Sequence, residues 1–71
     1  MTEYQIVFPN DSFAADLRYW TKLEADPHTI ARRLSYAVHN AWFKTAYVLK
    51  FEHGMKVDKI DAEHFMFMYK F

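Results

Sequence analysis

The sequence predicts a small α+β domain of two layers, in the order β-α-α-(β)-β, with N- and C-terminal strands paired and packed on two helices. Three observations carry that expectation: residues 3–8 alternate apolar side chains, residues 65–71 alternate aromatic ones, and Asp26-Pro27 opens a run of helical periodicity between them. Alternation with a period of two marks a half-buried strand, whereas apolar residues at i, i+3, i+4 and i+7 mark one face of a helix.

In the first strand Tyr4, Ile6 and Phe8 share a face, and Pro9 ends the run because it has no N–H to offer a ladder. Asn10-Asp11-Ser12 follows, three residues that all make good N-caps. Phe13, Ala14, Leu17, Trp20 and Leu23 then recur at helical spacing, with Asp11 and Asp16 near the positive end of the helix dipole, so a first helix is expected over residues 12–24.

Asp26 caps and Pro27 is preorganised for a first helical position, which starts a second helix. Ile30, Leu34, Ala37, Ala41, Thr45 and Val48 form one stripe, and a polar stripe continues to His53, with Gly54 placed to terminate the helix. Such a helix would hold about 26 residues and measure roughly 39 Å. A competing reading breaks it near Phe43–Lys44, turns Ala46–Glu52 into a strand and uses His53-Gly54 as a hairpin turn. Tyr47, Val48 and Phe51 favour the strand; the polar stripe and Gly54 favour the helix, which is the reading adopted. Residues 55–60 alternate weakly. Phe65, Phe67, Tyr69 and Phe71 alternate strictly with His64, Met66, Met68 and Lys70, which predicts a C-terminal strand. Two strands alone make a marginal sheet, so residues 55–60 or a second subunit should supply a third.

A chain of 71 residues is one domain and buries only about 60% of the surface that its unfolded form exposes. There is no cysteine, which excludes disulfides and fits a reducing compartment. Neither a secretory signal nor an apolar run of about 18 residues is visible, so the expected location is cytoplasmic, without membrane insertion. Seven Phe, five Tyr, two Trp and four Met are more large apolar surface than so small a core readily hides. Large exposed apolar patches mark interaction sites, so a protein partner or a homodimer is expected.

The formal net charge is zero, which argues against a strongly basic nucleic-acid protein. The charge is unevenly distributed. Residues 1–26 carry −3, residues 27–51 carry +4 with no acid among them, and residues 52–71 carry −1.

Most catalytic motifs cannot be written in this sequence. A single glycine leaves no phosphate-cradling loop. The histidines, at 28, 39, 53 and 64, include no i, i+4 pair. On a continuous helix the first three would lie roughly 16 and 21 Å apart, far beyond the reach of one ion. No metal and no other cofactor is expected. Ser12 reads as a cap, Ser35 as an ordinary helical residue, and Glu24, Asp26 and His28 as groups at an interhelical corner. The sequence therefore points away from an enzyme.

Two surfaces stand out. Arg32, Arg33, Tyr36, Asn40, Phe43, Lys44, Tyr47 and Lys50 follow one another at helical spacing, a basic-aromatic combination able to neutralise phosphates and stack on unpaired bases. Met66 and Met68 lie opposite the aromatic row of the last strand, where flexible thioethers would make an adaptable contact surface.

Residues 4–38 also have a familiar order: a strand ending in Ile6-Val7-Phe8, then Phe13 through Leu17-Arg18-Tyr19-Trp20, then Asp26-Pro27, then Ile30 to Val38. This opening is similar to that of the RelE-like bacterial mRNA-cleaving toxins. The resemblance implies a strand–helix–helix start and, for function, a divergent RNA-acting protein. It spans about half of the chain, and none of that family's catalytic residues falls on residues 44–71. The leading expectation is a small non-enzymatic protein–protein interaction module, such as a regulator, adaptor or inhibitor of the size that viruses and mobile elements encode, and one that self-associates. The alternative is a module that contacts RNA or DNA through residues 32–50.

Overall fold

The computed structural model of the protein describes residues 1–9, 21–39 and 41–69. Its elements are strand β1 (Thr2–Val7), helix α1 (Pro27–Ala37), a 3₁₀ turn (Ala41–Thr45), strand β2 (Tyr47–Glu52), strand β3 (Met55–Asp61) and helix α2 (Ala62–Met68). The expected α+β class is found. Residues 12–20 of the expected first helix lie outside the described residues, as do Asn40, Lys70 and Phe71. Its last residues, 21–24, are not helical: Glu24 pairs with the outer edge of β1, exchanging backbone hydrogen bonds of 2.7 and 2.9 Å with Tyr4.

The three strands form one antiparallel sheet in the order β1-β2-β3. Ile6 lies opposite Val48, which lies opposite Ile60; Tyr4 lies opposite Lys50. Directly opposed residues of an antiparallel pair project to the same face. Tyr4, Ile6, Val48 and Ile60 therefore share one face, and this is the face that both helices cover. Ile30, Leu34 and Ala37 of α1, with Ala62 and Phe65 of α2, complete the core with Phe8, Phe43 and Ala46.

Two elements differ from expectation. The long helix over residues 27–53 does not form. Helix α1 ends at Ala37, where β-branched Val38 and then His39 and Asn40, all weaker helix formers, follow. A helix of roughly 39 Å would also outrun the molecule, whose longest extent is 31 Å. Breaking the chain frees residues 47–52 to become the central strand and to bury Val48 completely. His53 and Gly54 then make the two-residue hairpin turn of the competing reading, with φ of +52° and +81°. Such primed turns match the right-handed twist of the flanking strands.

The second correction concerns the C terminus. Residues 62–68 are a helix, not a strand, so the N-terminal strand pairs with β2 instead. Ala62 and Phe65 are buried, and Met66 and Tyr69 pack against the core. Those four positions are i, i+3, i+4 and i+7, a helical stripe hidden beneath the alternation of aromatics. Of the two sources expected for a third strand, residues 55–60 or a second subunit, the chain itself supplies one as β3, Met55–Asp61.

Candidate functional site

The residues of the basic-aromatic run are dispersed, because the helix that would have aligned them is broken. Arg32 and Tyr36 remain together on the outer face of α1, where Tyr36 is 70% exposed. Arg33 turns inward. Its Nη2 donates to Glu24 Oε1 at 2.6 Å and its Nη1 to the Lys22 carbonyl at 3.1 Å, so this cation ties α1 to the segment beside β1. Phe43 enters the core, and Lys44 beside it is exposed. Tyr47 lies on the sheet face away from the helices, with Lys59 Nζ 4.4 Å from its ring centre. Lys50, on the opposite face, lies 3.9 Å from Glu52. Asn40 is outside the described residues.

The methionines also separate. On a strand Met66 and Met68 would share a face, but on α2 they diverge by two residues of helical rotation. Met66 packs against the core, while Met68 is 47% exposed. Phe67 between them is 71% exposed. These exposed side chains make α2 an apolar ridge on the surface.

A groove of about 650 Å³ runs along that ridge, between α2 and the 3₁₀ turn. Phe43, Ala46, Met66 and Phe67 supply its apolar lining. Its polar rim is split: Lys44 stands on the 3₁₀ turn, whereas Asp61, Glu63 and His64 stand at the start of α2. The two walls are tied together at one point by Ala62, whose N–H donates to the Ala46 carbonyl at 3.1 Å. On the other flank of α2 a smaller hollow of about 370 Å³ is lined by Met68, His64 and the β3 residues 58–61.

Lys44 and Met66 belong to the residues singled out in the sequence and Phe43 is a third, so the groove brings together one side of each predicted surface. Ala46, Asp61, Glu63, His64 and Phe67 were not foreseen there. The signal that could have found them is the Ala62, Phe65, Met66, Tyr69 stripe, which turns Glu63, His64 and Phe67 outward.

Two other clusters are structural. Tyr4, Phe65 and Tyr69 pack with ring centres 4.8 to 6.2 Å apart, and His28 meets the Tyr69 ring edge-on at 5.9 Å. Burial, reinforced by a hydrogen bond that the neutral Tyr4 hydroxyl shares with Tyr69, pushes the Tyr4 pKa up to about 12. Among the described residues no three His, Asp or Glu converge on a metal position, and no helix is long and apolar enough to cross a membrane.

No family model, curated protein or solved structure matches the chain. The likeness of residues 4–38 to the RelE-like toxins thus rests on those residues alone.

Proposed function

We propose that this chain is a non-enzymatic protein–protein interaction module, and that its contact surface is the α2 ridge with the groove beside it. The observation that carries the reading is the exposure of Phe67, 71%, on a helix that also leaves Met68 47% exposed and borders a partly apolar groove. A seven-residue helix holding Ala62 and Phe65 in the core has already met its structural need. Keeping Phe67 and Met68 this accessible beyond that need is the pattern of a contact surface. Sulfur and aromatic side chains are suited to it, since both bury large areas with adaptable packing.

The test is site-specific photocrosslinking in cells. A benzophenone amino acid replaces Phe67 in one variant and Tyr36 in another. Tyr36 is equally exposed, at 70%, but stands on α1, away from the groove. Protein adducts from position 67, and few from position 36, are the expected result. No adduct from position 67 beyond the background at 36 would defeat the proposal.

A further inference from the structure

Resting on that reading, we infer that the partner of the α2 ridge is a second copy of this chain, each copy laying its α2 into the other's groove. A two-fold interface uses one patch twice, so the patch must complement itself in shape and in charge. In shape, the ridge of α2 lies directly alongside a groove of about 650 Å³. One rotation about an axis between them can therefore seat both ridges at once. In charge, the groove keeps its cation, Lys44, on the wall opposite α2, and its acids, Asp61 and Glu63, at the start of α2. An α2 entering from a second copy carries its own Glu63 toward Lys44, and the same pair forms again on the symmetric side. Phe67 of each copy enters beside Phe43, Ala46 and Met66 of the other.

The whole-chain charge permits the approach. The formal net charge is zero, so two copies meet without long-range repulsion. The sheet edge offers a less suitable route. At the outer strand β3, Lys50 faces Asp58 while Phe51 faces Lys56, leaving Val57 as a bulged residue. A bulge and four charged side chains (Lys56, Asp58, Lys59 and Asp61) are the features by which edge strands avoid pairing with another chain. A short helix makes a small contact, so the dimer is expected to dissociate on the order of 10 µM, in the range of transient interfaces.

Sedimentation velocity of the purified full chain over a concentration series reads the association directly. The expected mass rises from the 8.6 kDa of one chain toward twice that value. Phe67→Glu is expected to remain monomeric throughout. Lys44→Glu and Glu63→Lys should each weaken association about tenfold by opposing like charges, and the double swap should return to within about threefold of the unaltered chain. Circular dichroism confirms that each variant is folded, and recovery by the double swap separates lost pairing from lost structure. A chain that stays monomeric up to about 1 mM overturns the inference. So does a dimer indifferent to Phe67→Glu, or one that the double swap fails to restore. If crosslinking at position 67 captures a different protein while the purified chain is monomeric, the interaction module stands and self-association falls. If crosslinking also fails, both fall.

Discussion

At the scale of single residues, Tyr4 shows how burial becomes a dependence on pH. Its hydroxyl is neutral in the fold up to about pH 12, against an ordinary value of 10.0, because burial disfavours the anion. The unfolded chain releases this proton first. Between about pH 10 and 12 it therefore binds fewer protons than the native state, and stability falls as pH rises. The contribution is fully present below pH 10, and its loss is on the order of 2 kcal/mol. Urea unfolding at pH 8, 10 and 11.5 should show this decline, and Tyr4→Phe should flatten it. A Tyr4→Phe variant with the same decline would assign the loss to other groups.

Asp26 and Gly54 are the residues at which sequence and geometry agree most closely. The Asp26 carboxylate accepts hydrogen bonds from the His28 N–H at 3.0 Å and from the Thr29 hydroxyl at 3.1 Å, and Pro27 follows as the first helical residue. Asp26→Ala is expected to cost about 1 kcal/mol in a denaturant titration, the usual value of an N-cap. Gly54 has φ of +81°, and a Cβ there would meet nothing within 4 Å. The glycine was legible as a helix terminator or as a turn residue, because both a helix end and a hairpin turn use a residue of positive φ. That ambiguity was inherent in the residue and needed the partner strands to resolve it.

At the scale of elements, α2 provides the sharpest test. A strand would place Phe65 and Phe67 on the same face, and truncating either would be costly. On the helix, Phe65 is fully buried while Phe67 is 71% exposed. Phe65→Ala is therefore expected to cost about 3–5 kcal/mol, and Phe67→Ala less than about 0.5 kcal/mol. Equal losses for the two substitutions in urea titrations would contradict the helix. Alternation misled here because six of the last seven residues are large and apolar, and the two periods are then both satisfied. Met, Glu and Ala within 62–68 are good helix formers, and the stripe at 62, 65, 66 and 69 has the helical interval.

The ion pair between Arg33 and Glu24 joins elements that no local pattern linked. Arg33 is 8% exposed, so its charge depends on Glu24 and on the Lys22 carbonyl for the contacts that water would otherwise supply. Removing one partner of such a pair leaves the other desolvated. Glu24→Gln is expected to destabilise by roughly 1–3 kcal/mol in thermal or urea unfolding, a range reduced for the partial exposure of the carboxylate. In the sequence, Arg33 was indistinguishable from its neighbour Arg32, which is exposed. One residue of helical rotation separates a surface cation from an interior one.

At the scale of the whole molecule, the candidate site exists because of the two elements that departed from expectation. Ending α1 at Ala37 places Phe43 and Lys44 on a 3₁₀ turn, and folding residues 62–68 as a helix sets Glu63 and Phe67 beside them. The groove between these parts is built by residues about 20 positions apart in the chain. The contact surface that composition suggested, through its surplus of aromatics and methionines, is proposed to lie there. Its proposed occupant, a second copy, follows from the self-complementary arrangement of Lys44 and Glu63, and sedimentation of the charge-swapped variants tests that arrangement.

The residues alone settled the α+β class, the N-terminal strand, the Asp26-Pro27 helix start and the apolar positions Ile6, Ile30 and Leu34. Each depends on local chemistry: a period over a few side chains, a cap, or a proline with no N–H. The state of residues 41–52 and 62–68 depended on contacts distant in sequence. Val48 is buried because Ile6 and Ile60 flank it, 42 and 12 residues away. Apolar side chains must leave water in either conformation, but whether they do so as helix or strand is set by the neighbours that satisfy their backbone and share their face.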